Sequence, residues 1–133
     1  GAQATAAAIW MARNGKSKAD IKEYIETKYE YDLDRTWEYL NQRYGWKSSC
    51  QETVPEAIIA FLESSSFEDA IRKAVSMVGD SDTLACITGG IAEAFYGEIP
   101  EEMILETKRV FPQIFHKILD AMKINTAYGK QNK

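Results

Sequence analysis

The sequence predicts an all-α protein, a compact orthogonal helical bundle. Two observations carry this. Apolar residues recur every three to four positions in almost every segment, and cap-type residues sit where each recurrence begins. No stretch alternates apolar and polar long enough to claim a strand; Tyr29, Tyr31 and Leu33 do so only briefly.

The elements follow in order. Residues 2–13 are alanine-rich, with Ile9, Trp10 and Met11 among small side chains that permit close packing. Asn14-Gly15 stops that helix. Ser17 with Asp20 three residues on resembles a capping box, and Ile21, Tyr24 and Ile25 form the stripe behind it. Asp34 is the expected cap of a helix carrying Trp37, Leu40 and Tyr44. A loop is expected over 45–54, after which Pro55 fits a first helical turn. Ser66 and Asp69 signal another start. Phe67, Ala70, Ile71, Ala74, Val75 and Val78 then predict a helix with one apolar face, with Glu68–Arg72 and Asp69–Lys73 as i,i+4 pairs on its wet side. Leu84 to Tyr96 has one charged residue, Glu93, and predicts a buried central helix. Gly89 and Gly90 inside it cost about 1 kcal/mol each against alanine, so a neighbour must approach closely there. Gly97 ends it, Pro100 opens a short helix, and Phe111 to Met122 stripes the last one. We expect one domain over 1–124 and a polar tail over 125–133.

The chain has 133 residues and a formal net charge of −4. That balance argues against a general nucleic-acid binder, which carries a basic face. No apolar run approaches the roughly 20 residues needed to cross a bilayer, and no signal-peptide pattern opens the sequence. Two cysteines, Cys50 and Cys86, are too few for a disulfide framework, so reduced thiols and a cytoplasmic location are expected. A single histidine, His116, excludes a multi-histidine zinc site made by this chain alone. The opening Gly1-Ala2-Gln3-Ala4 enters a helical pattern at once with no initiator methionine, as expected either of a trimmed tag or of a piece of a longer polypeptide.

The motif with chemistry in it is Asp80-Ser81-Asp82-Thr83. Two carboxylates and a hydroxyl fall where a helix begins, and hard oxygens suit Mg²⁺, Mn²⁺ or Ca²⁺. Asp82 is a natural N-cap, and the helix start stabilises its ionised form. The same end repels a cation mildly, so a metal here needs further anionic partners. The bland alternative is a cap with a solvated aspartate beside it. An EF-hand is excluded, because its fifth and sixth positions would be Leu84 and Ala85 rather than an oxygen ligand and glycine. A haloacid-dehalogenase-type phosphatase shares Asp-x-Asp-x-Thr, but needs a preceding strand where this chain has a helical pattern.

Further segments surround the motif: Glu52-Thr53-Val54-Pro55-Glu56-Ala57, Ala60-Phe61-Leu62, Phe67-Glu68-Asp69-Ala70-Ile71, Gly79 through Ala85, Ile87-Thr88-Gly89, Ile91 through Gly97, and Ile99-Pro100. In this order they resemble the C-terminal half of the ADP-ribosylglycohydrolases. The opening helix resembles a mid-protein helix of the same family. The resemblance implies an all-α fold holding two Mg²⁺ (or Mn²⁺) ions and cleaving the bond between ADP-ribose and a modified side chain or small acceptor. It implies Asp80, Asp82 and Thr83 as metal ligands, with Asp82 touching both ions, and places Gly79 and Ser81 close to the substrate. It puts the other ligands and the general acid–base in an N-terminal half. Val78 departs from the family, where a second glycine is common. The expectation is therefore half a site, inactive alone, whose partners are an ADP-ribosylated substrate and either the N-terminal half or a second copy docked on an exposed apolar face. The alternative is a non-catalytic helical module that binds ADP-ribose or serves a structural role.

Other candidates read as structural. His116 lies beside the last stripe, Cys86 reads as a small core residue without a base beside it, and Cys50 has no partner motif. Trp37, Tyr39, Tyr44 and Trp46 read as core more readily than as a stacking platform. Glu52 reads as a cap or solvated acid.

Overall fold

The computed structural model describes residues 1–43, 45–46 and 49–131, with side chains through Met122. Among the described residues there are eight helices and no strand, as the periodicity requires. They fall into two compact units, Gly1–Ile99 and Pro100–Lys133.

The first unit contains α1 (Ala2–Arg13), α2 (Lys18–Tyr29), α3 (Trp37–Arg43), α4 (Cys50–Leu62), α5 (Phe67–Ser76) and α6 (Ser81–Tyr96). Helix α6 is its axis and packs on α1, α4 and α5. The contacts explain the two helical glycines. A Cβ on Gly89 would stand 3.0 Å from Ile71 Cδ1 of α5, and one on Gly90 would stand 3.4 Å from Ile9 Cδ1 of α1. Leu84, Thr88, Ile91 and Ala92 bury the inner side of α6, while Asp82, Thr83, Cys86 and Glu93 are exposed. The helix is central but open along one side, so Cys86 is a surface thiol rather than the core residue expected.

Helix α4 is the most deeply buried, with every residue from Thr53 to Phe61 in the interior. It begins earlier than the proline suggested. Ser49 is the N-cap residue by backbone geometry: its carbonyl accepts from Thr53 N–H at 2.9 Å, and its Oγ donates to the Glu52 carboxylate at 2.9 Å. Pro55 therefore sits in the second turn, where its missing N–H deprives the carbonyl of Gln51, an exposed residue near the helix start that water can reach.

The paired caps appear as read. Ser17 Oγ accepts from Asp20 N–H at 3.1 Å while the Asp20 carboxylate accepts from Ser17 N–H at 2.9 Å, and Ser66 Oγ accepts from Asp69 N–H at 3.1 Å. Both i,i+4 pairs of α5 form, each at 2.7 Å. Helix α3 differs. Thr36 caps it by accepting from Tyr39 N–H at 3.2 Å, and Asp34 instead meets Lys22 at 2.5 Å. Tyr44 lies outside the described residues. Helix α5 ends at Ser76, so Val78 leaves the predicted stripe and is 72% exposed while Met77 is buried; Val75, still within the last turn, is 53% exposed.

The second unit contains α7 (Glu101–Val110) and α8 (Gln113–Gln131). Helix α8 runs through most of the segment expected as a polar tail. From Pro100 to Met122 no residue is fully buried, and Ile114, Phe115, Ile118 and Met122 are exposed along α8.

Candidate functional site

Two long-range hydrogen bonds fix how the site is framed. Thr88 Oγ1 donates to Ala57 O at 2.8 Å in mid-helix, and Tyr96 OH donates to Ser64 O at 2.8 Å just beyond the end of α4. Moving from Thr88 to Tyr96 along α6 thus moves from Ala57 to Ser64 along α4, so the two helices run parallel. Helix α1 runs with them: Gly1 stands against Cys50 and Val54, and Ile9 against Gly90. The starts of α1, α4 and α6 therefore share one end of the unit, and Asp80-Ser81-Asp82-Thr83 lies there.

The local backbone follows from the sequence. Gly79 has φ 128°, a conformation L side chains rarely adopt, and it lets the chain turn from α5 into α6. Ser81 N–H donates to Gly79 O at 2.9 Å, and Leu84 N–H to Asp80 O at 3.1 Å, the first bond of the helix. Asp80 is therefore the N-cap residue by backbone geometry, and Asp82, expected in that role, occupies the first turn. Asp82 Oδ1 accepts from Thr83 N–H at 2.9 Å.

Three of the named residues thus come together at the head of α6, with Asp82 and Thr83 exposed and Asp80 half-buried. The neighbouring Asp80 side chain, followed by the Thr83 N–H, holds the Asp82 carboxyl below the usual aspartate range. The donor set, two carboxylates and a hydroxyl oxygen, suits a hard divalent cation. It is not a full coordination shell: among the described residues no group of three or more histidine, cysteine, aspartate or glutamate side chains could hold a metal ion. Gly79 and Ser81 flank the pair at half-buried positions.

The remaining candidates lie apart or play other parts. Glu52 accepts from Ser49 Oγ at 2.9 Å at the head of α4, on the same end of the unit. Trp37 donates its indole N–H to Lys73 O at 3.0 Å and is half-buried. Tyr39 and Trp46, expected in the core, are exposed, and Arg43 lies over the Tyr39 ring at 4.4 Å. Both cysteines are free and exposed. His116 packs edge-on to Phe111 at 6.4 Å in the second unit.

Two polar groups escaped sequence reasoning. Glu56 is buried in α4 and pairs with Arg35 at 2.7 Å, and Arg35 also donates to Asp32 O at 3.0 Å, clipping the α2–α3 connection to α4. Lys18 reaches from α2 to the far ends of α4 and α6. No local spacing marks either, since their partners lie 21 to 78 residues away.

Among the described residues no helix is long and apolar enough to cross a membrane. A protein of Archaeoglobus fulgidus described as uncharacterized is 35% identical over 71 residues, 53% of this chain and 23% of that relative. The match thus spans about a quarter of the relative's length. No solved structure matches. The profile of the ADP-ribosylglycohydrolase family matches residues 1–130, essentially the whole chain, and together with the all-α fold this shows that the chain belongs to the ADP-ribosylglycohydrolase family.

Proposed function

We propose that this chain contributes part of a metal site for hydrolysing the bond between ADP-ribose and a modified side chain or small acceptor. The observation that supports it most is the convergence of Asp80, Asp82 and Thr83 on the head of α6, where Gly79 turns the chain into the helix. In this reading Asp80 and Asp82 hold Mg²⁺ or Mn²⁺, with Asp82 between two ions in the complete site. Thr83 adds a neutral oxygen. Gly79 keeps side-chain bulk away from the turn, and Ser81 sits where a substrate would pass. Bound metal would supply positive charge that orients ribose hydroxyls and polarises the reacting centre.

A second reading has an observation in its favour. The described residues offer too few ligands for a closed binuclear site, which suits a non-catalytic module that binds ADP-ribose, or a half-site inactive alone. Calorimetric titration with Mg²⁺ and Mn²⁺, beside the double variant Asp80→Asn/Asp82→Asn, separates these. Saturable binding in the native chain, lost in the variant, is the expected result. Equal behaviour of the two proteins would defeat the metal reading for this chain. ADP-ribose release from an ADP-ribosylated protein, abolished by Asp82→Asn, would show that the chain needs no complement.

A further inference from the structure

The ends of α4 and α6 opposite the carboxylates form a recess filled by one side chain from elsewhere. Lys18 Nζ donates to Leu62 O at 3.1 Å, to Tyr96 OH at 3.0 Å and to Ser64 O, and lies 3.5 Å from Ser64 Oγ. The same ammonium lies 5.0, 5.6 and 5.4 Å from the ring centroids of Phe61, Phe95 and Tyr96. The rings brace one another edge-on, Phe61 on Phe95 at 5.3 Å and Phe95 on Tyr96 at 5.2 Å. Ser64 Oγ and Tyr96 OH are themselves 2.9 Å apart. Oxygen acceptors on one side and aromatic faces on the other are what a half-buried primary ammonium requires. No carboxylate appears among these partners.

We propose that this recess is an ammonium-binding seat with Lys18 as its built-in ligand, and that occupancy of the seat latches α2 onto α4 and α6. The latch matters because, among the described residues, the broad packing of α2 is against α1. Beyond that, Ile21 and Ile25 bury its inner side and Lys18 ties down its first turn. A guanidinium is planar and wider than an ammonium, so arginine does not fit the same partners. A methionine keeps the apolar stem and loses every donor.

The test is amide hydrogen exchange on the full chain, read separately for α2 and for the α4–α6 pair. Lys18→Met is expected to speed exchange in α2 on the order of tenfold, the effect of losing hydrogen bonds to a charged donor, with Lys18→Arg intermediate. Lys18→Ala is expected to recover α2 protection when n-propylammonium is added, and not when n-propanol is. Unchanged α2 protection in Lys18→Met would overturn the latch. Equal recovery by amine and alcohol would overturn the ammonium seat and leave simple cavity filling. Should Lys18→Ala fail to fold in buffer, folding induced by the amine but not by the alcohol supports the seat, and folding with neither overturns it.

Discussion

Asp80 and Asp82 bring two carboxylates to a helix head where Asp82 is open to solvent, an arrangement that a bound cation would favour over two bare charges. A third carboxylate, Asp69, shows the opposite use of charge. The Lys73 ammonium at 2.7 Å holds the Asp69 carboxyl below its ordinary value of 3.8; burial opposes this, and the Ser65 N–H adds to it. Because the folded value is depressed, the stability it contributes is present above 3.8 and is lost as pH falls through the folded value. Asp69→Asn is therefore expected to lower stability at pH 7 by about 0.5–1 kcal/mol, the size of a surface pair plus a helix-start interaction. Thermal melts across pH should show the gap to the native chain closing below 3.8. A gap that persisted into strong acid would mean that the lost hydrogen bonds, rather than the charge, account for it.

At the scale of elements, the two glycines of α6 make separable predictions. Gly90 has its nearest foreign atom at an ordinary 3.4 Å, so Gly90→Ala should gain about 0.5–1 kcal/mol from helix propensity. Gly89 is tighter, with Ile71 Cδ1 at 3.0 Å, so Gly89→Ala should come out near neutral, its propensity gain offset by the shift of that methyl. Gly89→Val should destabilise by about 1–3 kcal/mol through overpacking. Denaturant melts of the three variants should keep that order; a stabilised Gly89→Val would show that α5 is free to move away. Close approach was legible in the sequence because two glycines interrupt an apolar helix without capping it. Which neighbours approach was not, since Ile9 and Ile71 are selected by packing across the fold. The same limit misplaced the start of α4, which begins at Cys50 ahead of the proline, and the face of α5, where Val75 is exposed within the helix and Val78 lies beyond its end at Ser76. The carboxylate motif was legible because its members are adjacent. Glu56–Arg35 and Lys18 were not, because their partners come from distant helices.

For the whole molecule, stability is concentrated in one unit. Every fully buried residue among those described precedes Pro100. A chain ending at Ile99 is thus expected to retain cooperative unfolding, with a midpoint within a few degrees of the full chain, because it loses no core residue. Circular dichroism melts of both would test this, and a non-cooperative truncated chain would show that α7 and α8 complete the core. The parallel run of α1, α4 and α6 has a further cost. Each helix carries about half a positive charge at its head and half a negative charge at its tail. Aligned side by side these dipoles repel, which antiparallel packing would avoid. The charges are placed to oppose that strain. Glu52 and Asp82 lie in the first turns of α4 and α6, and the Lys18 ammonium lies against the tails of both. The aspartates at the head of α6 and the lysine at its foot are two ends of one compensation, which lets α4 and α6 lie side by side in the same direction.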